Sequence, residues 1–361
     1  MKAGKFENIE RFLSALDEER KGREDIVIPV HSMGMTDGKL VIEGESYSLN
    51  EMAKNQLARR LGVVPAYWNR MVNFKQFDLL DTNVNRWISL HDEDDQYLIS
   101  RKGNEIIAFL SPRYKIVDNY ESLSTYLESY QKAHPDSSYR TAGYMGNGNF
   151  YVQMYENARI PEFLKNDSYS VGSVFKFSDV GGGISLANLL YRQVCSNGLM
   201  GFGEDRDSKI RLNGHAKDTR DYRNDPIYLE EKPQVLALTR ALGRREAMDG
   251  HTKERIENLI TIKDKKIDDL EAILYTLKPH LRMSDETFTA FVEEAIADKI
   301  DNYYDLVQAI TAMAQKEDAE TQFRMEQVGG WITDNRGKIL DHIIVNSIKT
   351  REKLDKKEKE E

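Results

Sequence analysis

Partway along this 361-residue chain the spacing of apolar residues changes, and that change constrains the fold more than any motif does. Tyr97-Leu-Ile-Ser and Ile106-Ile-Ala-Phe-Leu flank a turn at Lys102-Gly103-Asn104. Tyr139 to Tyr144 and Phe150 to Tyr155 flank Gly146-Asn147-Gly148-Asn149. Extended, β-prone runs separated by Gly and Asn predict two hairpins. After Pro233 the apolar residues recur every three or four positions: Ile256, Leu259, Ile260, Ile267, Leu270, Ile273, Leu274 and Leu277 form one stripe over residues 254–278, broken at Lys263. A stripe of that kind requires a partner helix. Phe288 to Ile296, Tyr303 to Met313 and Ile339 to Ile348 predict three further helices.

The predicted fold class is therefore α+β, an antiparallel hairpin-rich sheet with packed helices followed by an all-helical C-terminal region. Asp225-Pro226 and Lys232-Pro233 interrupt any helix where the two patterns meet. The domains are drawn accordingly: residues 1–229 an α+β core, residues 230–361 a helical domain ending in the mixed-charge tail Lys349 to Glu361.

Local signals fill in the core. Phe6, Ile9, Phe12, Leu13 and Leu16 predict a helix ending at Gly22, followed by a strand over Asp25 to Val30 and a hairpin punctuated by Gly38 and Gly44. Ser48 and Glu51 have capping-box spacing ahead of a helix that Gly62 would close. Pro65 suits the first turn of a helix through Trp68 and Met71. Asp118 and Glu121 predict the cap of a helix with Tyr120, Leu123, Leu127 and Tyr130 on one face. Ser170 to Phe177 predicts a strand, broken by Gly181-Gly182-Gly183. Ile184 to Cys195 reads equally as strand or short helix, and Ile210 with Leu212 suggests one more strand.

Composition bears on function through charge. Fifty-one Lys and Arg against 60 Asp and Glu give a net charge of −9, so any polyanion-binding surface has to be local. The lone cysteine, Cys195, makes neither an intramolecular disulfide nor a multi-cysteine zinc site, which predicts a reducing, cytoplasmic setting. Met1 to Lys21 contains no uninterrupted apolar core of a signal peptide, and no uncharged apolar run reaches membrane-spanning length, so no membrane is expected.

Few residue patterns carry chemistry. His91-Asp92-Glu93-Asp94-Asp95 supplies potential ligands, but consecutive side chains diverge and calcium-loop spacing is missing, so a solvated acidic loop is expected there and no metal or cofactor. The glycine triplet lacks a following Gly-Lys-Ser/Thr and is read as a turn. Cys195 beside Val194 is read as a small buried hydrophobe, with His215 not serving as its base, and no catalytic residue is assigned. Basic residues crowd one stretch: Arg192, Arg206, Lys209, Arg211, His215, Lys217, Arg220 and Arg223. Asp207, Asp218 and Asp221 interleave them and could leave a neutral, salt-bridged surface. The competing reading is a groove in which bases of this stretch contact phosphates while Tyr114, Tyr144, Tyr151 or Tyr191 stack on unpaired nucleobases.

Four pieces carry a resemblance over residues 45–220. They are the segment from Leu49 through Leu61-Gly62 and Pro65-Ala-Tyr67, the run Phe109-Leu-Ser-Pro-Arg-Tyr-Lys-Ile-Val-Asp-Asn-Tyr-Glu121, Tyr191-Arg-Gln-Val-Cys-Ser-Asn-Gly-Leu199, and Ile210-Arg-Leu-Asn-Gly-His215. In content and order they resemble the phage- and plasmid-like family known as domain of unknown function 932. The resemblance implies an origin on mobile elements and no particular reaction. It makes Arg192, Cys195, Asn197, Arg211 and His215 site candidates, and it says nothing of the helices after residue 233.

The expected function is non-enzymatic binding of single-stranded nucleic acid in replication or recombination, by a protein that self-associates. The nucleic-acid-binding set is Lys102, Arg113, Tyr114, Lys176, Arg192, Asn197, Lys209, Arg211, His215 and Lys217. The alternatives are a self-assembling or host-interaction protein using the C-terminal helices, and a metal-dependent hydrolase or nuclease using the acids at 91–95.

Overall fold

Helix ends locate the first elements. Asn8 accepts the Arg11 N–H at 2.9 Å and starts helix α1 (Ile9–Arg20), and Gly22, at φ +71°, turns the chain out of it. The computed structural model describes residues 3–114, 118–146, 148–164, 167–181, 185–192, 197–201, 257–333 and 338–358. The predicted domain boundary and the strand suggested by Ile210 and Leu212 lie outside them.

Two six-stranded sheets make the N-terminal half. The first, in the order β2-β6-β7-β5-β4-β3, joins β2 (Arg23–Pro29), β3 (Met33–Thr36), β4 (Lys39–Ile42), β5 (Glu45–Leu49), β6 (Gln96–Lys102) and β7 (Glu105–Leu110). It is mixed rather than purely antiparallel, because β5 runs parallel to β7. The second, ordered β1-β8-β9-β10-β11-β12, joins β1 (Gly4–Phe6), β8 (Ser137–Gly146), β9 (Asn149–Leu164), β10 (Asp167–Ser178), β11 (Ser185–Arg192) and β12 (Asn197–Gly201), all antiparallel. The ambiguous stretch after Ile184 is thus a strand over its described residues.

Between β5 and β6 lie α2 (Glu51–Arg60), α3 (Pro65–Asn73) and α4 (Phe77–Ile88). Their buried stripes, Ala53 and Leu57, Trp68 and Met71, Leu80, Val84 and Ile88, cover the first sheet. The cap of α2 is not the predicted Ser48. Asn50 Oδ1 accepts the Ala53 N–H at 2.8 Å, while Ser48 lies in β5 and donates its hydroxyl to the Asn104 carbonyl at 3.2 Å. Asn50, next to the first turn, takes the cap because Ser48 is held by strand pairing. Asp118 does cap α5 (Asn119–Ala133), accepting the Glu121 N–H at 3.0 Å.

The second sheet is covered on both faces, since alternate residues of a strand point to opposite sides. Phe150, Val152, Phe175 and Phe177 pack under α1 and α5, with the Tyr126 ring stacked 4.5 Å from Phe175. Tyr151, Val174, Ala187 and Leu189 face the other way, against Ala319 and Phe323 of α9 (Ala319–Thr333). Gly143 sits opposite Tyr151 in the β8–β9 register, where a Cβ would collide with the tyrosine ring.

The C-terminal region is helical. The predicted stripe over 254–278 is two helices, residues 257–264 and α6 (Leu270–Leu281); between them Lys266 bridges Asn302, and Asp269 caps α6 through the Ala272 N–H at 3.0 Å. The stripe's partners are in the same chain: α7 (Asp285–Ala297), α8 (Tyr303–Ala314), α9 and α10 (Lys338–Glu358) share one core with it, into which Tyr169 and Leu190 of the second sheet project. α9 is buried nearly all round, including Gly329 and Gly330 toward its C-terminal end.

A buried charge pair fixes α9 to the sheet. Glu326 of α9, wholly buried, accepts from Arg140 Nη2 of β8 at 3.0 Å, from Gln153 Nε2 of β9 at 2.6 Å and from Gln315 and Gln322. Removing one member of such a pair strands the other charge without water. Glu326→Ala should therefore cost about 3–5 kcal/mol in urea denaturation, against about 1 kcal/mol for Asp118→Ala, which loses one helix cap.

Candidate functional site

Pro65 opens α3 and Gln76, whose N–H reaches the Met71 carbonyl at 2.8 Å, turns the chain into α4. Positions 67 and 70 of α3 and its C-cap, position 74, fall on one side, because residues three and four apart are neighbours on a helix. Tyr67, Arg70 and Phe74 there, with Leu79 of α4 and Gln76 between, line an open groove of about 310 Å³ over Met71. The Arg70 guanidinium lies 5.9 Å from the Phe74 ring centroid. Phe74 is 69% exposed, and Trp87, eight residues after Leu79 on the same helix, is 45% exposed. Tyr67, Leu79 and Leu90 are exposed as well. Aromatic rings left in water around a groove are the kind of feature that marks an interaction site.

This face is held firmly from behind. Asn85 of α4 accepts the Met35 N–H at 2.6 Å and donates to the Met35 carbonyl at 2.9 Å, and Asp81 accepts the Gly38 N–H at 3.0 Å. The Phe77 ring lies where a Cβ on Gly38, at φ +71°, would be. The charge also differs from that of the rest of the chain. Residues 51–90 carry Lys54, Arg59, Arg60, Arg70, Lys75 and Arg86 against Glu51, Asp78 and Asp81, six against three, in a protein of net −9. Lys54 is paired with Glu51, and the Arg60 guanidinium lies 5.7 Å from the Tyr97 ring centroid, its pKa lowered by burial; Arg59, Arg60, Arg70, Lys75 and Arg86 are all exposed by residue area.

The candidates named from the sequence do not converge. Lys102 donates to the carbonyls of Glu18 and Glu19, at 3.3 and 2.8 Å, where α1 ends and cations are favoured. Arg113 is exposed on the chain after β7, and Tyr114 is half-buried against Leu110 and Val180, where burial raises its pKa. Lys176 lies 4.8 Å over the Phe323 ring and Arg192 donates to Gln308 Oε1 at 3.0 Å, so both meet C-terminal helices rather than an open groove. Asn197 sits opposite Arg192 in the β11–β12 register. Lys209, Arg211, His215 and Lys217, with Arg206, Arg220, Arg223 and Cys195, lie outside the described residues.

Burial overturns the expected stacking role of Tyr144 and Tyr151, which are 2% and 0% exposed. Tyr191 packs 4.6 Å from Tyr155 with the Arg140 guanidinium 5.3 Å above its ring. The family-like segment around it is structural in part: Gly198 leaves room for Arg140 and Glu326, and a Cβ there would come within 2.7 Å of Arg140 Nη1.

The acidic loop is occupied by its own histidine. His91 Nδ1 and Asp95 Oδ2 are 2.8 Å apart, and that hydrogen bond holds the Asp95 carboxyl below its ordinary pKa. Among the described residues no three His, Cys, Asp or Glu side chains form a group that could hold a metal ion, and no helix is long and apolar enough to cross a membrane.

The α3–α4 face was not singled out from the sequence. Its exposed Tyr67, Phe74 and Leu79 recur with the same period as the buried Trp68, Met71 and Leu80 beside them, and only the packing tells the two stripes apart. No family profile, curated protein or solved structure matches this chain.

Proposed function

We propose that this protein binds single-stranded nucleic acid without catalysing a reaction on it, and that the α3–α4 face is where unpaired bases stack. The observation that carries the proposal is the groove of Tyr67, Arg70 and Phe74, with Trp87 exposed further along α4, within a locally positive segment of an acidic protein. Exposed rings give every base a surface to stack on, and neighbouring Arg and Lys side chains meet the phosphates without reading sequence. The resemblance to a phage- and plasmid-like family supports an origin on a mobile element, and replication or recombination is the setting in which such an element exposes single strands. Self-assembly through the 254–278 stripe is the weaker alternative, since Leu259, Ile273, Leu274 and Leu277 of that stripe are buried against helices of their own chain.

Two measurements test the proposal. In mobility shift at low salt, the wild-type chain should retard a labelled single strand. Phe74→Ala should weaken that binding by about tenfold, since one base–ring stack is worth about 1–3 kcal/mol, and Arg70→Ala should lower the salt slope by about 0.7. No shift at micromolar protein rejects the proposal.

Trp87 supplies the second measurement, being more exposed than Trp68 and Trp331. Oligothymidine should quench tryptophan fluorescence, and Trp87→Phe, which keeps a ring, should abolish most of the quenching while changing affinity little. Quenching unaltered in that variant would place the strand elsewhere.

A further inference from the structure

Away from the α3–α4 face, the two sheets meet around a small pocket. Arg23 begins β2 of the first sheet, and Asp179 follows β10 of the second; they form an ion pair with side chains only 13% and 6% exposed. The pocket has room of about 20 Å³ and is also lined by α1, by Asn119 at the start of α5, and by Tyr144 and Gly148 of the β8–β9 hairpin. Those walls are tied together: Gly148 donates its N–H to the Tyr144 hydroxyl at 3.0 Å, and its carbonyl accepts from Asn119 Nδ2 at 3.1 Å. Gly148 is at φ +72°, and a Cβ on it would collide with Asp179.

Three buried atoms of the wall lack a hydrogen-bond partner: Arg23 Nη2, Asn119 Oδ1 and Asp179 Oδ1. Such groups are costly unless water satisfies them. One donor and two acceptors match the two hydrogens and the lone pairs of a single water, and the volume exceeds the roughly 10–15 Å³ that one water requires. A metal cation would sit against the fixed charge of Arg23.

We propose that this pocket is a proton-responsive joint between the two sheets, completed by one bound water and closed more tightly when Asp179 is protonated. The charged groups around it are Arg23 and Asp25 from β2, at 3.5 Å from each other, Glu19 and Arg20 from α1, and Asp118 ahead of α5. Burial pulls the Arg23 pKa down, but Asp179 and Asp25 more than offset it, so Arg23 stays charged. Burial raises the phenol of Tyr144 to about 12 and raises that of Tyr114, which also senses Asp179, and keeps both neutral. For Asp179 burial outweighs Arg23 and, with Asp118 adding repulsion, pushes the carboxyl from 3.8 up to about 6.

The sign follows by linkage. A closed joint holds the Asp179 proton more tightly than an open, hydrated one. Closure is therefore favoured fully below pH 3.8, and the advantage is lost as the pH rises through about 6. Neutral conditions loosen the contact of β2 with the end of β10, and mild acid tightens it.

Hydrogen exchange on the full-length chain, corrected for intrinsic rates, reads this directly. In peptides covering residues 144–150 and 174–181, the opening equilibrium should rise about tenfold from pH 5.0 to 7.5, and Asp179→Asn should make it flat. A flat wild-type profile, or the same rise in the variant, overturns the joint. Carbon-13 titration of the wild-type Asp179 carboxyl is independent of how the variant folds: a midpoint near 6 supports the proposal and one at 4 or below overturns it. A crystal structure showing the pocket dry, or holding a cation, overturns the water.

Discussion

The buried contact of Arg140 with Glu326 is the constraint on which the arrangement of sheet and helices rests. Two charges withdrawn from water attract strongly but lose their hydration, so such a pair is a weak source of stability and a strong penalty on misplacement. Here every nearby amide takes part: Gln153 from the sheet, Gln315 after α8 and Gln322 one turn before Glu326 on α9. A shift of α9 by one turn would leave a carboxylate, a guanidinium and several amides unpaired. The aromatic contacts around the pair, Tyr151 on Phe323 and Arg140 on Tyr191, fill space that this polar centre has already assigned.

The first sheet is organised differently. Its three helices pack by apolar stripes, with the Asn85 and Asp81 side chains bound to backbone groups of the β3–β4 hairpin. One side of α3 and α4 is used up in this way, and the other presents rings and guanidinium groups to solvent. The groove thus owes its shape to a scaffold with fixed backbone, which suits a ligand recognised by flat surfaces and charge more than by shape that the protein adjusts.

Much of this architecture was legible in the residues. The hairpins around Gly103 and Gly148, the helix starting after Asp118 and the helix closing at Gly62 follow from turn and cap chemistry that acts locally. Two helices were not anticipated. α4 has no side-chain cap, and its core stripe is flanked by exposed apolar residues that blur the period. α9 is buried on nearly every side and carries Gly329-Gly330, so it shows neither an amphipathic stripe nor high helix propensity. The stripe over 254–278 read as one helix because period alone does not register the bridge that Lys266 makes to Asn302. Basic residues were legible as charge but not as geometry: Lys102, Lys176 and Arg192 are engaged by a helix end, a phenylalanine ring and a glutamine.

That α9 lies against the second sheet has a practical consequence for anyone dissecting the molecule. A cut in the proline-punctuated stretch near residue 230 looks natural from the sequence, yet it would bare the sheet face carrying Tyr151, Val174 and Leu189 and leave a guanidinium facing an empty slot. The severed halves would tend to clump, and results from either fragment would report on raw, newly uncovered surface instead of on the intact protein's behaviour.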